Sequence, residues 1–519
     1  AAGGGTLDIA SAANTFTIVP TGITFTGPFT KTGPGTLVAT GSFNTASFSI
    51  GSGPAILTAP NAIVASSTFN VGTGTATATL TINGGFVSGT GAAQGIAVGV
   101  GTGASLITLN SGTLQSRGEL WLGSNATTGG YGALIVNGGV VNSSSWLGMG
   151  RGISASPTID TRGLLIMNGG AINVTTNHLT IGAFQLLPTA MSVMAMTGGT
   201  ATVSAGSVYV GENLSGVLEM SGGLLQTAAN QSVRLKNVNV AGFGILNLRG
   251  GVIATGGVST AGTTGTSIFN FNGGTLRTLQ SSTTFMQGLT QANVFPGGAV
   301  LDTQGFSITV GQSLLAASGT GVSSIAFTGG TGYIAPPIVT ISGGGGSGAT
   351  ALATVDASGN LTGITVTNPG TGYTSTPTIS LFGGGGTGAV IGTIGLATNS
   401  GTGGLTKLGT GRLVLNGTNT YTGPTVWSTG TVQFGRPSAL YNADTAQWTP
   451  TNLTVQPNAT LAVNLGGASD FTSGQVGTLL SMTSTGSTGF TNGSWFGIDT
   501  TNATGVVTLS STIPDANGG

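Results

Sequence analysis

The chain has 519 residues, of which 98 are glycine, 11 are basic, 11 are acidic, one is histidine and none is cysteine. Charged residues make up 4%, against roughly 25% in an average soluble domain. This leaves little equipment for acid–base catalysis, no disulfide framework and no clustered cations for a nucleic-acid backbone. Hydrophobic residues at 39% argue against disorder. Mean hydropathy is +0.36, yet no run approaches the ~20 apolar residues of a spanning helix. The nearest, Ala183 to Met196, is broken by Gln185, Pro188, Thr189 and Ser192.

Residues 1–78 open with Ala1-Ala2-Gly3-Gly4-Gly5 and no initiator Met, as in a processed secretory product or a cut segment of a longer chain. Thr6 to Ala10 and Thr15 to Val19 alternate like strands. Their apolar positions Leu7, Ile9, Phe16 and Ile18 are candidates for pairing with another chain.

Residues 79–317 repeat. Ile82-Asn83-Gly84-Gly85, Val136-Asn137-Gly138-Gly139 and Met167-Asn168-Gly169-Gly170 share one phrase, varied at Gly112, Gly199, Gly223, Gly251 and Gly274. Counted at the second glycine, the steps are 27, 27, 31, 29, 24, 28 and 23 residues. Between them lie short strands ending in glycine, such as Ile96 to Gly99, Leu120 to Gly123 and Val208 to Gly211. A 20–50-residue period built of strands predicts a solenoid, because one such unit cannot bury its apolar face alone. The expected fold is all-β: a right-handed parallel β-helix of about 27 residues per coil. Its coils stack at ~4.8 Å. Some 15–19 coils would give a body roughly 70–90 Å long. Glycine suits the corners, and Asn before Gly-Gly suits an amide ladder between coils.

Residues 318–396 carry a different repeat. Thr328 to Tyr333 recurs as Asn368 to Tyr373, each followed by a proline-containing strand and a glycine tract, Gly343 to Gly348 and Gly383 to Gly388. These read as two copies of one small β unit inserted on the solenoid. Tyr333 and Tyr373 occupy equivalent places, either as core plugs or as a possible surface contact. Residues 397–519 return to the solenoid and end in another strand-like stretch, in which Val506, Val507 and Leu509 are candidate assembly residues. Neither end shows a helix signal or a charge cluster.

Chemistry is sparse. No two of Asp8, Asp160, Asp302, Asp356, Asp444, Asp470, Asp499 and Asp515 lie within ten residues of each other. Asp444, Asp470 and Asp499 are each about one coil apart, and Glu212, Glu219 and Arg234 span about one coil; both sets read as solvated surface charge. His178, with Asp160 and Ser156 on the preceding loop, reads as an exposed corner residue. Trp121, Trp146 and Tyr209 read as core. One His and scattered acids make no metal site, and the glycine tracts lack the Lys-Ser/Thr of a phosphate loop. No catalytic, metal or cofactor residue is expected. Asn125-Ala126-Thr127 and Asn458-Ala459-Thr460 are glycosylation-type triplets.

Gly404-Leu405-Thr406-Lys407-Leu408-Gly409-Thr410-Gly411-Arg412-Leu413-Val414-Leu415-Asn416-Gly417, continuing through Tyr421-Thr422-Gly423-Pro424 to Val432, resembles the autotransporter-associated β-strand repeat, also called the passenger-associated transport repeat. Phe29-Thr30-Lys31-Thr32-Gly33-Pro34-Gly35-Thr36-Leu37-Val38 is similar to part of it, and the closing segment from Gly489 to Asn502 resembles blocks between such repeats. The resemblance implies a β-helical passenger of a bacterial surface protein that serves adhesion or display. The sequence thus points to a secreted, cell-surface structural β-solenoid. Its leading partner is itself, joined head-to-tail in a fibre or filament by strand pairing. The alternatives are an adhesin binding cell-surface or matrix glycan, and a carbohydrate-active β-helix enzyme. With few charges and no cysteine, the fold is expected to withstand roughly pH 3 to 10.

Overall fold

A computed structural model describes residues 4–19, 22–58, 62–124, 129–151, 159–183, 189–238, 241–262, 264–482, 486–509 and 511. Asn125-Ala126-Thr127, Ser156 and most of the loop from Gly150 to Arg162 lie outside the described residues.

Short strands recur because β-branched and small residues alternate between glycine corners that oppose helix. Each central coil contributes three of them, for example Gly130–Val136, Val140–Ser143 and Leu147–Met149. Each strand pairs in parallel with its counterpart one coil on: Val136 opposes Met167, Val140 opposes Ala171, and Leu147 opposes Leu179. Some strands turn a corner and serve two faces. Ala78–Gly89 pairs with Gly53–Thr58 through its first half and with Ala62–Ala65 through its second. The result is a parallel β-solenoid of about 16 turns at about 27 residues per coil, with 4% helix. At ~4.8 Å per coil its stack is roughly 75 Å long.

The interior is one continuous apolar column from Ile9 to Met482. Near the start it is aromatic: the rings of Phe29, Phe48 and Phe69 stack at 5.6 and 4.9 Å. The corners obey the glycine spacing. Gly139 and Gly170 have φ of 74° and 71°, and a Cβ on Gly170 would lie 2.5 Å from the Gly139 carbonyl oxygen. Only glycine allows the coils to approach there. Beside this seam the expected amide ladder forms. Asn110 donates to Asn83 at 2.7 Å, Asn137 to Asn110 at 2.8 Å, Asn168 to Asn137 at 2.9 Å, and Thr197 closes the row on Asn168 at 3.0 Å.

Solenoid pairing passes from Ala299–Asp302 directly to Leu405–Leu408 and from Ile308–Val310 to Arg412–Leu415. The intervening chain folds as two copies that exchange strands. Thr320–Thr328 of the first pairs antiparallel with Val390–Thr398 of the second, and Ser347–Val355 with Leu361–Thr371. Ile338–Ser342 pairs with Thr378–Phe382 about a pseudo-dyad at Thr340 and Ser380.

This unit does not project into solvent but lies back along the solenoid. It covers an outward ladder that is apolar over seven coils: Leu106, Ala133, Leu164, Val193, Val217, Ile245 and Ile268, successive partners in register. Ala335 and Ile338 of the unit pack against it, and Tyr131 Oη donates to the Pro336 carbonyl at 2.5 Å. Strict alternation therefore fails here: these strands are buried on both faces and read as unbroken apolar runs.

The C-terminal end also departs from expectation. Ser473–Leu480 is an α-helix with a capping box from Thr472 and Gln475, and its Val476 and Leu479 are fully buried.

Candidate functional site

At the first coil, Gly5–Asp8, Thr15–Ile18 and Ile23–Phe25 each pair on one side only, with Phe29–Thr32, Thr36–Ala39 and Phe43–Thr45. Leu7 stacks over Lys31, Phe16 over Leu37 and Ile18 over Ala39, so these side chains continue the interior column. Ile9 and Ile18 are buried and Leu7 is half-buried, while Phe16 is 46% exposed. Leu7, Phe16 and Ile18, together with Ile23, Phe25 and Phe29, line an apolar groove of about 300 Å³ at the end of the stack.

The opposite end closes on Gly489–Phe490 and Trp495–Asp499. Phe496 and Ile498 lie over Leu461 and Val463 and so face inward, yet Ile498 is 39% exposed. The strand read from Gly505 onward does not form; Ser510 lies outside the described residues. Instead this segment folds over the loop before the helix. The Val507 side chain sits at Gly466, and Ser473 Oγ donates to the Thr508 carbonyl at 2.9 Å. Val507 and Leu509 pack partly against the core, while Val506 is 97% exposed. These three residues therefore do not present a strand edge; Trp495–Asp499 does.

Tyr333 and Tyr373 are buried in the inserted unit. Each ring lies against the other copy's glycine tract, Tyr333 against Gly384 and Gly386, Tyr373 against Gly344 and Gly346. A side chain on those glycines would collide with the ring. The geometry is that of a reciprocal core plug, and the surface-contact reading is corrected accordingly.

The acids do not assemble. Asp444 caps a 3-10 turn at Ala446, Asp470 binds the Gly467 amide, and Asp499 takes Gln433 Nε2 at 2.8 Å. Asp160 is held bidentately by Arg162 at 2.7 and 2.8 Å rather than by His178. His178 accepts the Ser207 amide on Nδ1 at 2.9 Å and packs between Trp146 and Tyr209, with centroids at 4.6 and 4.5 Å. It is half-buried in an aromatic cluster rather than an exposed corner residue. Trp121 is also not core: it faces outward, donates to Glu119, and lies under the Arg151 guanidinium at 5.2 Å. Among the described residues, no group of three His, Asp or Glu side chains could hold a metal ion.

Glu212 and Glu219 are buried, contrary to the solvated-surface reading. Burial pushes the Glu212 carboxyl up to about 7, against the opposing pull of Arg151 and Lys236. Burial likewise lowers Lys236 to about 8. Glu219 lies beneath the inserted unit, where Asn247 Nδ2 and Thr367 Oγ1 donate to its Oε1 at 2.7 and 2.6 Å.

Sequence reading missed two lysines. Lys31 and Lys407 are fully buried, each next to a Gly-x-Gly corner. Lys31 Nζ donates to the carbonyls of Gly33 and Ser52 at 2.7 Å each. Lys407 Nζ donates to those of Gly411 and Thr429 at 2.6 and 2.7 Å, and to Gly409. Each ammonium thus ties its own corner to the next coil. An acid in the coil beneath partly offsets the burial, Asp8 for Lys31 and Asp302 for Lys407. The shared Lys-x-Gly-x-Gly spacing was the available signal.

Residues 405–434 match the model of the passenger-associated-transport-repeat family. They begin with the strand that carries Lys407 and end with the strand Gly430–Phe434. No curated protein and no solved structure matches the chain. The repeat and the solenoid around it define an autotransporter-passenger-like β-helix. No helix among the described residues is long and apolar enough to cross a membrane.

Proposed function

We propose that the protein is an extracellular structural passenger, and that its solenoid ends join head-to-tail into a fibre on the cell surface. The task is mechanical rather than catalytic. One observation carries this reading: inward-facing apolar side chains are bare at both ends of the stack, Phe16 at one and Ile498 at the other. The first coil adds an apolar groove and unpaired strand edges, which template the addition of another strand. A head-to-tail contact is heterologous, so it grows an open filament unless its rotation closes. Zero net charge leaves no long-range repulsion to oppose it.

Light scattering with Phe16→Asp and Ile18→Lys variants tests the reading. The wild-type chain is expected to grow in mass with concentration, and the variants to stay at one chain. A wild-type chain that remains a monomer at micromolar concentration overturns it.

A second reading, a glycan-binding adhesin, is supported by a groove of about 510 Å³ on the outer face. Ser282, Thr283, Thr284, Thr309 and the Arg412 guanidinium line it, so hydroxyl donors and acceptors surround one cation. Glycan-array binding lost in Arg412→Ala would favour it.

A further inference from the structure

We propose that the inserted unit is a pH-gated lid on the solenoid, held down when Glu219 is protonated and loosened when it ionises. The carboxyl sits at a polar place in a seam that is mostly apolar. It points outward from Ser215–Thr227 into the underside of the unit, and it is 2% exposed. Along its ladder the preceding outward residue is Ala195, and the following ones are Asn247, Asn270 and Asn293. The three asparagines hand hydrogen bonds down the row: Asn293 to Asn270 at 2.9 Å, Asn270 to Asn247 at 2.7 Å, and Asn247 to Glu219 at 2.7 Å. The lid adds Thr367, which donates to Oε1 at 2.6 Å, and Thr350, which accepts from Asn247 at 2.7 Å and shares a 2.7 Å bond with Thr367. Two of these bonds, from Asn247 and Thr367, end on Oε1. Oε2 is buried with no hydrogen bond.

The charges facing this carboxyl are few. Arg249, on the neighbouring strand, brings Nε to 3.9 Å of Oε2, too far for a hydrogen bond. The lid carries a single charged residue, Asp356, which is exposed on its far loop. An ionised Glu219 is therefore a buried charge paired with a single arginine at 3.9 Å, while a protonated one is neutral. Desolvation raises its pKa, with the hydrogen bonds from Thr350, Thr367 and Asn247 and the charge of Arg249 pulling the other way. Because the docked state binds the proton more tightly than the open state, docking is strongest in acid. It weakens as pH rises through the raised value. Opening bares the seven-coil apolar ladder from Leu106 to Ile268.

The chain contains no cysteine, so a thiol introduced at buried Ala335→Cys is its only one, and its labelling rate reports lid opening. The readout is the ratio of that rate in the otherwise wild-type chain to the rate in the Glu219→Gln background, which cancels the thiol's own ionisation. The ratio should be constant below the ordinary carboxyl value, rise by up to about tenfold per pH unit between that value and the raised one, and level off above it. Arg249→Met removes a charge that pulls the carboxyl's pKa down, so it should carry the rise to higher pH and a larger plateau, and it keeps the question open to test even where Glu219→Gln misfolds. Ser358→Cys, on the exposed loop, should show no such ratio change. A ratio flat from about pH 4.5 to 8.5, with Arg249→Met labelling like wild type, overturns the lid.

Discussion

An ammonium enclosed by backbone carbonyls carries more of this fold than its abundance suggests. Lys31 and Lys407 are among 11 basic residues in the chain, and both are spent on corners. Lys407→Met would leave carbonyls of Gly409, Gly411 and Thr429 without their donor inside the stack. With ~1–3 kcal/mol for each unsatisfied buried group, the loss should be about 3 kcal/mol or more, read as a lower denaturant midpoint. The exposed amide ladder is worth less. Asn137→Ala removes two bonds that water can replace and should cost about 1 kcal/mol in the same measurement. The buried pair of Glu212 and Lys236 sets a pH profile. An acid whose folded pKa is raised contributes fully below about 4.5 and loses that contribution as pH climbs through about 7. A lysine lowered to about 8 weakens the fold below that value, and the loss is recovered as pH rises from 8 towards 10.5. The midpoint should therefore dip between about pH 7 and 8, and the dip should be shallower in the double variant Glu212→Gln/Lys236→Met. A profile unchanged by that variant would contradict the assignment.

At the scale of elements, the inserted unit is a cover rather than a link. Solenoid strands pair directly across it, from Ala299–Asp302 to Leu405–Leu408. Replacing residues 319–400 by a short linker should preserve the β circular-dichroism signal while the bared ladder drives dye binding and association. A chain that unfolds instead would show that the unit nucleates the coils. What the sequence revealed at this scale follows from what repeats. Asn83, Asn137 and Asn168 recur at the coil period with their glycines, so both seam and ladder were readable. The covered face was also written, as Leu164-Leu165-Ile166-Met167 and similar unbroken runs. Periodicity marks such strands as buried twice but does not say what buries them. The helix Ser473–Leu480 has its capping box in plain view, yet Gly474 and Gly477 lower its propensity, and its apolar face becomes meaningful only against the coil end. Glu219 was unreadable for a similar reason: the residues that enclose it, Thr350 and Thr367, lie more than a hundred positions away.

The solenoid's sides are closed by continuous parallel pairing, while its first and last described coils each pair on one side only. In the described residues, the inward-facing Phe16 of the first coil is 46% exposed and Ile498 of the last is 39% exposed. The C-terminal end is the better covered, since the helix and the segment around Val507 fold over part of it. The first coil is therefore the more demanding partner. Electron microscopy of the purified chain over a concentration series tests the end-joining account most directly. It predicts rods of constant width whose lengths fall at multiples of roughly 75 Å and grow with concentration. Rods of a single length at every concentration, or aggregates that thicken sideways, would contradict it.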